Sequence, residues 1–289
     1  MLIDLHMHTN YSDGSFSPEE LIDYVSARDV GIIAVTDHDE IGGVLPAREY
    51  GEKKRVDVIP GVELSIDMEL TGGAHLHMLG LLFDPENVTL IEELNKLKKA
   101  REERAFRIVQ KLREAGIPID ADDLIDAVGQ GSAGRPHIAA ILIKKGVVSD
   151  IYEAFDKYLS KGRPGYVPKT KLKLEPAIEL IHRAGGLAII AHPVSLKYET
   201  YRELGEKILE MKAVGLDGIE AYYPGHDKYL TEWLVKFAGK NNLVVSGGSD
   251  FHGSAKPDVE PGIGRGGLVI PPEIVERLRE EVREVRSRK

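Results

Sequence analysis

Cysteine is absent from all 289 residues, which excludes disulfides, thiolate nucleophiles and sulfur-bound metals. Any metal held by this chain must sit among nitrogen and oxygen donors, a set that manganese, iron and zinc all accept. Positive charge is in deficit, with 38 Lys and Arg against 47 Asp and Glu, a formal net charge of -9. That balance argues against coating duplex nucleic acid through a broad positive field, since such binding rests on many cationic contacts to phosphate. Small phosphorylated molecules remain open, because cations bound among carboxylates reverse the local potential. No apolar run approaches the roughly 18 residues of a membrane span, and Asp4 and His6 interrupt the opening segment where a signal peptide would be apolar. A soluble, cytoplasmic protein is the expectation. Missing too are a G-x-G-x-x-G that opens a helix after a strand, a P-loop and a G-x-S-x-G elbow. Dinucleotide binding, Walker-type nucleotide binding and acyl-enzyme hydrolysis therefore have no support.

What is present is a pattern at the ends of apolar runs. The opening run ends in His6-Met7-His8, with Asp13-Gly14 on the loop that follows. Alternate strand residues point the same way, so both imidazoles face one side, a natural pair for a divalent metal. An isolated H-x-H is more often a pair of ordinary strand histidines; repetition is what gives this one weight. Residues 31–36 form a buried-type run ending in Asp37-His38-Asp39, and residues 56–62 lead to Glu63. Residues 75–83 carry His75 and His77, residues 187–191 end at His192-Pro193, and residues 243–249 end in Asp250-Phe251-His252. Residues 218–223 add another strand. Between the first two runs, Ser17-Pro18-Glu19-Glu20 predicts a helix start with Ser17 as cap and Glu20 closing a capping box.

With 42% hydrophobic residues, the chain is long enough for one large α/β domain carrying an insertion. Alternating strands and helices imply a parallel sheet, and chemistry at the strand ends suggests a closed barrel, an open doubly wound sheet being the alternative. From about 87 to 148 the texture turns helical, charged and periodic. Residues 96–165 are expected to form an inserted helical subdomain, closing in a Gly/Pro-rich stretch with Lys161, Arg163 and Tyr166. A charged helix over 271–288 is expected to end the chain.

The ordered set L-H-M-H, S-D-G, T-D-H-D, G-V-E, H-x-L-G, A-H-P and G-S-D-F-H, spanning Met1 to His252, resembles the PHP family, named for polymerase and histidinol phosphatase domains. The resemblance implies a distorted (β/α)7 TIM-like barrel, here residues 1–95 and 166–289 with 96–165 as a helical cap. It also implies two to three divalent ions, manganese, iron or zinc, in a phosphoesterase site. Carried over by motif, His6, His8, Glu63 and Asp250 would hold one ion, and Glu63 would bridge to a second held by His77 and His192. Asp13, His38 and His252 would take the third. Of these, Asp13, His38, Glu63, Asp250 and His252 are expected to act most directly in catalysis, through a metal-activated water with no protein nucleophile. Asp4, Asp37 and Asp39 are expected to orient the imidazoles. His75 shares a strand face with His77 but falls outside the motif and is expected not to bind metal.

Gly134-Arg135-Pro136-His137 and Lys161-Gly162-Arg163-Pro164 further resemble the family's nucleotide-acting branch, the nucleoside 3',5'-bisphosphate phosphatases and enzymes that trim RNA 5' ends. That resemblance implies Arg135, His137 and Arg163 as phosphate-binding residues, since a guanidinium can hold two phosphate oxygens. His226 is a candidate for the same pocket. The expected partner is a small phosphorylated nucleotide or short oligonucleotide, with no membrane and no bulk duplex binding. A histidinol-phosphate-type phosphatase and a non-catalytic metal-binding module stay open as alternatives.

Overall fold

The computed structural model describes residues 1–68, 74–128 and 133–287. Eight strands form one sheet: β1 (Leu2–Met7), β2 (Val30–Val35), β3 (Asp57–Asp67), β4 (Leu76–Leu81), β5 (Leu172–Lys173), β6 (Leu187–Ile190), β7 (Gly218–Tyr222) and β8 (Val244–Gly247). Seven lie in the order β1-β2-β3-β4-β6-β7-β8, while the two-residue β5 pairs with the end of β3. The helices are α1 (Pro18–Ser26), α2 (Val44–Lys54), α3 (Val88–Glu114), α4 (Ala121–Val128), α5 (Arg135–Lys144), α6 (Ile151–Ala154), α7 (Leu174–Arg183), α8 (Tyr201–Ala213), α9 (Lys228–Lys240) and α10 (Glu273–Ser287). Arg288, the last residue of the expected C-terminal helix, lies outside the described residues.

Local chemistry accounts for most of these elements. Ser17 caps α1 by accepting from the Glu20 N–H, and Glu20 returns the bond to the Ser17 N–H. β1, β2, β6 and β8 are short apolar runs buried on both faces, as parallel strands between helices must be. The sheet is nonetheless mixed rather than parallel throughout, because β4 runs antiparallel to both β3 and β6. No helix separates β3 from β4 among the described residues, and a parallel neighbour needs a crossover connection of a dozen or more residues.

α3 belongs to two cores. Leu90, Leu94 and Leu97 pack with β3, β4, β6 and α7, whereas Ala105, Ile108, Val109 and Leu112 pack with Leu124, Ile138 and Leu142 of α4 and α5. The boundary expected at residue 96 thus falls inside a continuous helix.

The two ends of the strand path meet. The His8 N–H donates to the Phe251 carbonyl at 2.9 Å, and the Asp250 N–H to the His6 carbonyl at 2.8 Å, just past β8. Gly248 permits this approach, since a Cβ there would stand 2.3 Å from the His6 Cβ. Replacing Gly248 by Ala should therefore push β1 and β8 apart and lower stability by about 1–3 kcal/mol, the usual cost of overpacking a filled interior. Guanidinium unfolding of the variant checks this; an unchanged midpoint would refute the close-approach role.

Candidate metal centre

The strand ends converge on one carboxylate. Glu63, in the middle of β3 and 1% exposed, is pinned on its backbone to the segment after β2: its N–H donates to the Asp37 carbonyl and its carbonyl accepts from the Asp39 N–H. Its Oε1 lies 2.8 Å from His77 Nδ1 and 2.9 Å from His192 Nε2. Its Oε2 lies 3.0 Å from His38 Nδ1, 3.3 Å from His8 Nε2 and 3.4 Å from His6 Nε2. Asp250 Oδ1 is 3.4 Å from both His8 Nε2 and His252 Nδ1, and Asp13 Oδ1 is 3.4 Å from His252 Nε2. Strand alternation places His6 and His8 side by side, ring centroids 5.3 Å apart.

Three nitrogens of this cluster, His6 Nε2, His8 Nε2 and His38 Nδ1, are buried and hydrogen-bond to nothing. Buried polar atoms are almost always satisfied, and lone pairs aimed at carboxylates across 3.0–3.4 Å are satisfied together by a shared cation. The donors sort into overlapping groups, each with ligand atoms within 4.8 Å: His6, His8 and Asp250; His38, Glu63 and His77; His8, Asp13, His38 and His252; and His75, His77 and His192. The residues present therefore fit divalent ions. All nine ligands implied by the resemblance are brought together. His8 is shared with the Asp13 group, and His75 stands with His77 and His192.

The electrostatics agree. Burial would raise the carboxyls of Glu63, Asp13 and Asp250, but the surrounding imidazoles, with the Lys256 ammonium for Asp250, hold all three well below the usual carboxylate range. Burial pulls His38 down to about 4 against the pull of Glu63 and Asp13, leaving a neutral imidazole free to ligate. Backbone strain collects here as well, with His192 at φ 29° and Asp250 at φ 59°.

The imidazoles are oriented by other groups than expected. Asp4 accepts from the backbone N–H groups of His6, Ser249 and Gly262, Asp37 from Thr9 and Ser12, and Asp39 from the Ser65 N–H while pairing with Lys169. These acids fasten the ligand-bearing backbone, because their carboxylates meet amides and hydroxyls rather than rings. One group that does orient an imidazole is Glu220 of β7, fully buried, whose Oε1 meets His6 Nδ1 at 2.9 Å while Oε2 accepts the His192 N–H at 2.5 Å. Protonation at Nδ1 leaves the His6 Nε2 lone pair turned to Glu63 and Asp250. A lone acid in the apolar stretch Gly218-Ile219-Glu220-Ala221 was the available signal for this role, since a buried carboxylate needs partners.

A cavity of about 360 Å³ opens over the cluster, lined by His38, Glu63, His77 and His192 together with His75, Tyr223 and Lys256. A larger groove of about 760 Å³ at the opposite strand ends, beside His182 and Asp217, holds no donor group of this kind among the described residues. Tyr223 and Lys256 both bond Asp250 Oδ2.

Of the expected phosphate-binding residues, Arg135 is half-buried, its guanidinium 5.1 Å over the Phe155 ring and bonded to the Leu159 carbonyl. His137 accepts from the Gly134 N–H, and its neutral form is favoured by burial against the field of Asp13. Arg163 is 48% exposed and pairs with Asp156, away from the cavity lining. Its turn is tied by backbone bonds to Ser160 and Tyr166, which directs the side chain to the surface. His226 packs edge-on against Tyr223, with Nδ1 toward the Ala221 carbonyl, and does not line the cavity.

Two arginines of α3 were not legible in the sequence. Arg101, 7% exposed, donates to the His38 and Ala133 carbonyls, and Arg104, 8% exposed, to the Val167 carbonyl. In a helix this charged, neither differs in pattern from a solvated residue. Burial together with the fields of Arg135 and Arg101 pushes Arg104 down to about 10. Among the described residues no carboxylate pairs with Arg101, Arg104 or Arg135.

Glu220→Gln tests the tautomer role, because both partners donate and an amide offers only one acceptor. Metal affinity is expected to fall by about ten- to a hundredfold with the fold retained, read by competition against a chelator. Unchanged affinity would rule the role out.

Comparison with known proteins places this geometry. The PHP domain family matches residues 4–243. A 5'-3' exoribonuclease of Haemophilus influenzae is 39% identical over 250 residues, covering 86% of this chain and 89% of that protein. A 3',5'-nucleoside bisphosphate phosphatase of Chromobacterium violaceum is 36% identical, covering 86% and 87%. A solved amidohydrolase structure from Chromobacterium violaceum, with bound sulfate, superposes with a TM-score of 0.80 at 33% identity, covering 99% of this chain and 97% of that one. Sequence match, shared fold and the ordered set of strand-end ligands agree: the chain belongs to the PHP domain family.

Proposed function

We propose that this protein removes a terminal phosphate from a small nucleotide carrying a second phosphate, such as a nucleoside 3',5'-bisphosphate, or trims the end of a short oligonucleotide. It is a metal-dependent hydrolase of phosphoesters, with nucleotides as the substrate class. The observation that carries the finer reading is the pair of buried guanidiniums, Arg101 and Arg104, with the half-buried Arg135 near them, that no carboxylate among the described residues neutralises. Buried charge is stable only when paired, and a phosphate provides a doubly charged partner for bidentate donors. Arg101 places this set beside the cluster, since its Nη1 donates to the His38 carbonyl at 3.0 Å. The activities named for the two relatives support a substrate of this class.

In this reading the sheet forms a distorted barrel and residues 96–165 act as its cap. His6, His8, Asp13, His38, Glu63, His77, His192, Asp250 and His252 hold two to three divalent ions, manganese, iron or zinc. Bound there, the ions supply an activated water and charge to offset the phosphate oxygens. Glu63 and Asp250 stay ionised to bind them, Glu220 fixes the His6 tautomer, and the arginines with His137 bind the second phosphate. No side chain serves as nucleophile. Lys256, at the cavity wall, keeps Asp250 Oδ2 occupied so that Oδ1 faces the imidazoles.

Steady-state kinetics with added manganese on a 3',5'-bisphosphate and its matching monophosphate test the proposal. The wild type should prefer the bisphosphate. Arg135→Ala and Arg101→Ala should each lower kcat/KM on it by about ten- to a hundredfold, the worth of one charged hydrogen bond, with metal content unchanged. No preference, together with no effect of either arginine, would leave only a general phosphoesterase.

A further inference from the structure

His75 precedes β4 and shares a strand face with His77, yet lies outside the family pattern. Its backbone is held firmly: the His75 N–H donates to the Ser195 carbonyl at 3.1 Å, and Ser195 Oγ donates back to the His75 carbonyl at 3.1 Å. The same hydroxyl stands 3.1 Å from His192 Nδ1, where it accepts the ring proton and leaves His192 Nε2 facing Glu63 at 2.9 Å. One serine thus ties His75 and His192 into a unit. The His75 ring lies 5.1 Å from that of His77 and 5.8 Å from that of His192, centroid to centroid, on the wall of the same cavity. Among the described residues nothing hydrogen-bonds its imidazole.

We infer that His75 is a third imidazole ligand of the metal position served by His77, His192 and Glu63, and that this makes the position selective for zinc. The inference rests on the metal centre described above. Donors on one zinc ion each lie about 2.0–2.1 Å from it, so no two are more than about 4.2 Å apart. Ligand atoms of the three histidines already lie within 4.8 Å of one another, and the exposed His75 side chain is free to close the remainder by rotation. Two imidazoles and a shared carboxylate suit manganese, iron and zinc alike. A third imidazole shifts the set towards the nitrogen-rich tetrahedral environment of three-histidine zinc sites.

The test uses the full-length protein, wild type and His75→Ala, stripped and then titrated with zinc and with manganese in competition with a chromophoric chelator. The cobalt-substituted forms are followed by visible absorption. The expected result is that His75→Ala weakens one zinc equivalent by about tenfold or more, leaves manganese binding within about twofold, and dims the cobalt bands of one equivalent. Unchanged zinc affinity and cobalt spectrum overturn the inference. A raised KM with zinc binding intact overturns it too, since His75 would then be a substrate contact. Wild type that binds no divalent ion overturns both this inference and the metal centre beneath it, so the two failures are distinguishable.

Discussion

Everything at the active end of this protein is placed by one buried carboxylate. Glu63 is ionised at a depth where an anion is stable only among cations or strong donors, and five imidazole nitrogens surround its two oxygens at 2.8–3.4 Å. Such an arrangement tolerates little slack. The chain meets it by putting Glu63 on the longest strand, hydrogen-bonded to parallel β2 on one side and antiparallel β4 on the other. His77 comes from β4, directly across from Ser65, and His38 from the segment bridged to Glu63 itself.

Around that hub the acids divide their work. Asp4, Asp37 and Asp39 take backbone amides and hydroxyls from loops that carry ligands, and so hold strand ends in register. Glu220 and Ser195 instead set which nitrogen of His6 and of His192 carries the proton. Ligation needs an unprotonated nitrogen at a defined place, so backbone anchoring and tautomer control are separate requirements met by separate residues.

The helical segment brings the opposite charge. α3 begins against the main core and ends in the core of α4 and α5, carrying Arg101 and Arg104 at the crossing. A site with carboxylates and imidazoles on one side and, on the other, guanidiniums that lack a carboxylate partner among the described residues suits the proposed substrate, a phosphoester with an additional phosphate. The overall charge of -9 says nothing against this, because the field that matters is local.

Much of this was written in the sequence. Strand ends could be recognised at β2, β6 and β8, whose short apolar runs lead within a few residues to His or Asp, and alternation alone put His6 and His8 on one face, whereas Glu63 lies inside β3 and His77 near the start of β4. The capping of α1 by Ser17 and Glu20 was equally local and appeared as read. Tertiary structure decided the rest, wherever a role depends on a distant partner. β4 is antiparallel because of how the chain returns beside β3, which its composition does not encode. Arg163 resembled a phosphate ligand but turns to Asp156, while Arg101 and Arg104 resembled solvent charges and are buried. Glu220 reaches His6 across 214 residues, and His75 is tied to His192 through Ser195. Periodicity and spacing report a residue's neighbours along the chain; a charge or a lone pair is given its purpose by what faces it across space.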